Sequence, residues 1–316
     1  MRIKVTSGSF SRTPELVDEL KQLTGDVVVR AEASGHLEGP DLADYLADAD
    51  AAVLGLDRLD AAVLDVCPNL KAVAKYGVGL DNIDVRSCLD RGIYVGWTPG
   101  LNRRSVSELA LGSLLMLLRN AYPTSLMLKD GTWRKQGGME LSGKTVGILG
   151  VGHIGKDLIE LLRPFGCRIL VNDIRDQADY YRALSLEPVD WPTMLAESDA
   201  ISLHTPLTEN TRGLLDARAF QSMKSTAVLV NTARGPIVDR EALKQALDQG
   251  WIAGAALDVY DDVEPPKDRS YLSHPNLICT PHIGGNSREA VRAMGRSAIS
   301  HLRDWMAGKP QPSLPV

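Results

Sequence analysis

Residues 144–173, KTVGILGVGHIGKDLIELLRPFGCRILVND, constrain the fold more than any other part of the chain. Thr145-Val146-Gly147-Ile148-Leu149 is a short apolar run, the pattern of a strand buried on both faces of a parallel sheet. Gly150-Val151-Gly152-His153-Ile154-Gly155 follows as G-x-G-x-x-G, and then Ile154, Leu158, Ile159, Leu161 and Leu162 recur at helical spacing. A second strand, 168–172, ends on Asp173, about 18 residues beyond Gly155. Each glycine has a mechanical role. Gly150 permits the tight turn, Gly152 lets backbone approach a pyrophosphate, and Gly155 lets helix and strand pack closely. The helix start offers unpaired N–H groups and the positive end of its dipole to a diphosphate. Asp173 would accept the two ribose hydroxyls of an adenosine and repel a 2′-phosphate. Strand, glycines, helix and acid in this order predict an NAD site within a Rossmann unit.

Composition narrows the class further. A chain of 316 residues suggests about two domains. Its 35 basic and 40 acidic residues give a net charge of −5, which argues against nucleic acid or a membrane surface as partner. Cys67, Cys88, Cys167 and Cys279 are scattered without a C-x-x-C pair. That is the pattern of buried thiols in a reducing compartment, neither a disulfide frame nor a zinc site, so no metal is expected. No secretory h-region precedes the first strand and no apolar run reaches membrane-spanning length, so the expected location is cytoplasmic.

Ahead of the glycine motif, residues 3–5, 27–29, 51–55, 70–74 and 93–95 read as strands separated by helical stretches. They predict a first parallel, helix-covered sheet, distinct from the dinucleotide-binding one. The segment 98–100 reads as a crossing between domains. Asn102 is then the expected N-cap of a long apolar helix over 105–122, which should be buried on several sides. Beyond the motif, strands at 200–204, 227–231, 254–259 and 277–280 end in Thr205-Pro206, Thr232-Ala233-Arg234-Gly235, Asp258-Val259-Tyr260 and Pro281-His282-Ile283-Gly284-Gly285. Open α/β sheets bind ligands at such carboxyl ends.

The residue types at those ends match one chemistry. Hydride exchange with a 2-oxo or 2-hydroxy acid needs a cation that clamps the carboxylate and polarises the carbonyl, and a guanidinium does this with a bidentate fork. It needs a group that delivers a proton, for which imidazole is suited, and a carboxylate that orients the imidazole. Arg234, His282 and Glu264 fit these three roles. Taken singly each has a plainer reading: Arg-Gly is usually a turn, and a Glu before Pro-Pro is usually solvated.

Several motifs in order then make the chain resemble the D-isomer-specific 2-hydroxyacid dehydrogenases, in the branch of phosphoglycerate dehydrogenase and hydroxypyruvate reductase. The pieces are YGVGLDNID (76–84), TPGLNRRSVSELA (98–110), GKTVGILGVGHIG (143–155), HTPLTENTRGLL (204–215), NTARGPIVD (231–239), ALDVYDDVEP (256–265) and TPHIGG (280–285). The resemblance implies two doubly wound parallel-sheet α/β domains, with a Rossmann NAD domain (99–287) inserted into a flavodoxin-like substrate domain (1–98 with 288–316). The active site would be the cleft between them, and the helix 105–122 would form a homodimer contact. It implies a catalytic set of Arg234, Glu264 and His282, with NAD contacts at Gly150, Gly152, His153, Ile154, Gly155, Asp173, Thr205, Thr232, Ala233, Arg234, Asp258, His282 and Gly284. Gly77, Val78, Gly79, Asn102 and Arg234 would meet the substrate, the N–H groups of Val78 and Gly79 holding its carboxylate. The stretch DVYDDVEP is a residue longer than the family's spacing, so Glu264 is chosen because Pro265 follows it, with Asp261 and Asp262 as neighbours able to replace it.

The expected activity is hydride transfer between NAD and a small D-2-hydroxy or 2-oxo acid such as 3-phosphoglycerate, hydroxypyruvate or glyoxylate. The other reading is an NAD(H)-sensing, corepressor-like binding protein, disfavoured because the chain has no basic tail. Lys75, Arg103 and Arg104 are positioned in sequence to meet a second anion on the substrate. No arginine stands in 53–56, where phosphoglycerate dehydrogenases tend to place one, though Arg58 is close.

Overall fold

The computed structural model describes residues 1–30, 35–261 and 264–315. Its short β-branched and alanine-rich runs pair in parallel into two sheets, in the two units into which the chain divides. One unit is Met1–Asn102 with Gly285–Val316, and the other is Arg103–Gly284.

The first unit carries β1 (Arg2–Val5), β2 (Asp26–Val29), β3 (Ala51–Leu54), β4 (Ala72–Lys75) and β5 (Tyr94–Gly96), in the order β2-β1-β3-β4-β5. The two-residue side-chain period of a strand explains its two cores. Ala51, Val53, Ala72 and Ala74 face Phe10, Leu16, Leu20, Met294 and Leu302. Ala52, Leu54 and Val73 face Leu42, Leu46, Leu59 and Leu64. The last helix, Arg288–Met306, opens with Ser287 accepting the N–H of Ala290 and returns the chain to this sheet.

The second unit carries β6 (Thr145–Leu149), β7 (Arg168–Asn172), β8 (Glu187–Pro188), β9 (Ala200–Leu203), β10 (Val228–Asn231), β11 (Gly254–Leu257) and β12 (Leu277–Cys279), all parallel, in the order β12-β11-β10-β9-β6-β7-β8. The order reverses between β6 and β9, where doubly wound sheets open a crevice for a dinucleotide. The fold class is therefore that of two doubly wound parallel sheets, Rossmann and flavodoxin-like.

Two local expectations change. The apolar stretch forms two helices, Arg103–Leu118 and Ala121–Lys129, parted at Asn120, whose φ of 50° is left-handed. Within its own unit the first of these buries one stripe, Val106, Ser107, Ala110, Ser113, Leu114, Leu117 and Leu118, and leaves Met116 exposed. The expected side-chain cap is not made either, since Asn102 Oδ1 is buried without a hydrogen-bond partner among the described residues.

Candidate active site

The second unit gathers its polar residues at the carboxyl ends of its strands. Leaving β6, Gly150 adopts φ 90°, and a Cβ there would lie 2.7 Å from the carbonyl of His204. A Cβ on Gly155 would lie 2.1 Å from Gly150 O, so the helix His153–Leu162 seats on the turn only because that position is bare. Gly152 differs: a Cβ there would meet nothing within 4 Å, and His153 beside it is exposed. The loop is thus packed from below by its outer glycines and open at the middle one, next to a ten-residue helix with no side-chain cap at its N-terminus. At the end of β7, Asp173 Oδ2 accepts the N–H of Val151 (2.6 Å) and Oδ1 that of Arg175 (2.7 Å). The carboxylate is fixed beside the glycine turn with acceptor capacity to spare.

Two buried polar atoms further along the same edge have no hydrogen-bond partner among the described residues, Thr232 Oγ1 after β10 and His204 Nδ1 after β9. Buried orphans of this kind cost stability unless something satisfies them. Burial holds the His204 imidazole far below its ordinary range, at about 3, while Ser202 Oγ lies 2.9 Å from its Nε2. An open phosphate-binding turn, a fixed carboxylate and unpaired polar atoms along one edge fit the NAD expected from the sequence.

The catalytic candidates are joined through backbone. Asn231, fully buried at the end of β10, accepts the N–H of Ala233 (3.0 Å) and donates to Arg234 O (2.9 Å), which fixes the turn carrying Arg234. A Cβ on Gly235 would lie 1.5 Å from Tyr260 O, so this turn rests directly on the segment after β11. Tyr260 N–H donates to Glu264 Oε1 (3.1 Å), and Glu264 Oε2 lies 2.5 Å from His282 Nδ1. Asp261 is engaged elsewhere, 3.1 Å from Arg240, and Asp262 lies outside the described residues. His282 stands at φ 53°, a left-handed conformation that this residue type tolerates better than most.

Asp258 explains how that conformation is held. Its buried carboxylate accepts Thr280 Oγ1–H (2.6 Å) and the N–H groups of Ile283 (2.8 Å) and Gly284 (2.7 Å), on both sides of His282. Desolvation raises its pKa, against the pull of these hydrogen bonds. The expected cofactor contacts Asp258 and Gly284 are therefore bound to each other, and a Cβ at Gly284 would sit 2.8 Å from Asp258 Oδ2. Asn231 and Asp258 as backbone staples, and the orphaned His204, are site features that sequence reading missed. The signal for the staples was their place at or next to strand ends.

In the first unit, the loop after β4 turns at Gly77, φ 130°. Trp97 Nε1–H donates to Val78 O (2.9 Å), while the N–H groups of Val78 and Gly79 donate to no backbone carbonyl among the described residues. Lys75 lies beneath the loop, buried, with Nζ donating to Gly55 O and Asn82 Oδ1, both at 2.6 Å. In the second unit, Arg104 and Arg103 approach Asp157 at 3.1 and 3.9 Å. The three cations expected to meet a second anion are thus occupied by the protein itself.

The fold and these strand-end residues define a dinucleotide-dependent oxidoreductase. Residues 111–284 match the family described as D-isomer specific 2-hydroxyacid dehydrogenase, NAD binding domain. The chain is 38% identical to the glyoxylate reductase of Thermofilum pendens, over 92% of this chain and 88% of that protein. It is 40% identical to the hydroxypyruvate reductase of Thermotoga maritima, over 85% of this chain and 89% of that one. The crystal structure of the TT0316 protein from Thermus thermophilus superposes with a TM-score of 0.88 at 32% identity, with all of both chains covered. The chain belongs to the D-isomer specific 2-hydroxyacid dehydrogenases, NAD-dependent oxidoreductases.

Proposed function

We propose that the chain reduces a small 2-oxo acid to its D-2-hydroxy acid, and runs the reverse reaction, with His282, Glu264 and Arg234 as the catalytic set. The 2.5 Å contact between His282 Nδ1 and Glu264 Oε2 carries this reading. With Nδ1 against the carboxylate, we assign the proton exchange to His282 Nε2, and the carboxylate stabilises the imidazolium that must form. The bound dinucleotide supplies the hydride exchanged with C2 of the acid. His282 Nε2 gives its proton to the carbonyl oxygen during reduction and takes it back during oxidation. Arg234 clamps the carboxylate and draws electron density from the carbonyl, and the Asn231 staple keeps its turn from shifting. The N–H groups of Val78 and Gly79, on the loop after β4 in the first unit, are backbone donors suited to an anion such as a carboxylate.

Glyoxylate and hydroxypyruvate, named in the relatives' descriptions, are the first substrates to try. His282→Ala should lose about 10²–10⁴-fold in kcat on both while still binding NADH, which fluorescence titration reads. NADH binding without turnover in the wild type would favour the NAD(H)-sensing reading instead. We place a homodimer contact on the helices 103–118 and 121–129, where Met116, Leu126 and Leu128, with Trp133 beyond them, are exposed. No helix among the described residues is long and apolar enough to cross a membrane, and with four free cysteines we place the protein in the cytoplasm.

A further inference from the structure

Within the second unit, the start of the helix Arg103–Leu118 is held from two sides. On one side Ser105 Oγ donates to Gly284 O (2.5 Å), while the Gly284 N–H donates to Asp258 Oδ2 (2.7 Å). Gly284 is thus fixed through both its polar backbone groups, two positions beyond His282. A Cβ there would lie 2.8 Å from Asp258 Oδ2 and 3.5 Å from Val106 Cγ2, so the bare residue fits between the carboxylate and the helix start.

On the other side stands the helix that opens at the glycine turn. Asp157, in the second turn of His153–Leu162, accepts Arg104 Nη2 (3.1 Å) and the hydroxyl of Ser107, which is fully buried. Its carboxylate therefore lies against the first turn of Arg103–Leu118, where the positive end of the helix dipole favours an anion. Further along, Ala110 and Leu114 of one helix share a core with Leu158 and Leu162 of the other, which makes the pair a stiff unit.

Reduction places a hydride and a proton on one C=O bond. The glycine turn and the His282 turn must then keep a fixed separation, since a displacement of about 1 Å can cost about 10²-fold in rate. We infer that Asp157 and Ser105 are positioning residues for the proton transfer, keying the His282 turn to the dinucleotide-binding helix through the start of Arg103–Leu118. Both act through other residues: Asp157 through Arg104 and Ser107, Ser105 through Gly284. The inference rests on the proposal that His282 is the proton donor.

Kinetics and amide hydrogen exchange on the full chain test it together. Ser105→Ala should lower kcat with NADH and glyoxylate about five- to tenfold, as expected for one lost hydrogen bond, and leave KM and NADH binding within about twofold. Asp157→Ala should do the same, and the double variant should lose no more than about twofold beyond either single one, because both changes interrupt one chain of contacts. Ser105→Thr keeps the hydroxyl and should restore most of kcat. Asp157→Asn keeps an acceptor for Ser107 without the charge that holds Arg104, and should show part of the loss. Glu160→Gln removes an exposed acid from the same helix and should match wild type. Without dinucleotide or substrate, exchange of the Ile283 and Gly284 amides should quicken about five- to tenfold in Ser105→Ala and Asp157→Ala, as their turn opens more often. Wild-type kcat and exchange in these variants would overturn the inference. So would losses that multiply in the double variant, or NADH binding that weakens as much as kcat falls. A wild type that turns over no 2-oxo acid would overturn the proposed reaction instead; the exchange rates, which need no turnover, would still decide whether Asp157 and Ser105 hold the His282 turn.

Discussion

Replacing Asp173 should change which dinucleotide the enzyme accepts. Its two oxygens already accept the N–H groups of Val151 and Arg175, so the carboxylate is held at the end of β7 and two acceptor positions remain for ribose hydroxyls. A 2′-phosphate there would bring like charge to about 4 Å, where two unit charges interact by roughly 1–4 kcal/mol at effective dielectric constants between those of water and a protein surface. With a lost hydrogen bond of about 1 kcal/mol added, the wild type should favour NADH over NADPH by about 2–5 kcal/mol, or roughly 30- to 5000-fold in kcat/KM. Asp173→Ser removes the charge and leaves exposed Arg175 beside the phosphate position, so most of that margin should vanish. The variant should also bind NADH more weakly, because Val151 loses the acceptor that ties the glycine turn to β7. Asp173→Asn keeps an acceptor without the charge and separates the two effects. The assay is kcat/KM for both dinucleotides with glyoxylate saturating, at low and high salt. Equal use of NADH and NADPH by wild type, or an undiminished preference in the Ser variant, would refute the reasoning.

Gly155→Ala drives a Cβ to 2.1 Å from Gly150 O, so it should destabilise the unit by about 3 kcal/mol and abolish NADH binding; thermal melts and titration read both, and a variant that melts and binds like wild type would contradict the packing. Glu264→Gln should lower kcat about tenfold and move the pH profile of reduction to lower pH, since a partly exposed charge-assisted hydrogen bond is lost; an unmoved profile would transfer the role away from Glu264. Burial holds His204 at about 3, so the folded protein refuses a proton that the unfolded chain takes up near pH 6.5. That contribution is whole above pH 6.5 and falls away as pH drops toward 3, with about 2 kcal/mol gone at pH 5. Urea unfolding at pH 7 and pH 5 should show this loss in wild type and less of it in His204→Gln; equal losses would mean that His204 is protonated in the native state.

Much of the fold is legible in short runs whose meaning is local. The glycine motif, its flanking strands and Asp173 lie within 30 consecutive residues, and each strand end is marked by a break from apolar to polar sequence. What escaped depends on contacts distant in sequence or on a single backbone angle. Glu187–Pro188 pairs as a two-residue edge strand, too short for any periodicity to register. The turn at Asn120 interrupts a hydrophobic pattern that continues across it, so the residues on either side read as one helix. Arg103 and Arg104 read as cations available to a ligand because Asp157, which binds them, is more than 50 positions away.

The choice of Glu264 over its neighbours shows the same boundary from inside the site. Asp261 and Glu264 are both acids in one polar loop, and neither charge nor hydropathy separates them. Arg240 separates them: it lies at the start of a helix that packs beside this loop and holds Asp261 at 3.1 Å, while Tyr260 N–H holds Glu264 toward His282. The cation thus bears on the proposed catalytic pair by occupying the neighbouring carboxylate. Asp258 shows a related division, since three of its acceptor positions are used within the protein, by Thr280, Ile283 and Gly284. Sequence identifies which residues have the chemistry to act. Which of them are free to act is decided by the hydrogen bonds that the fold has already assigned.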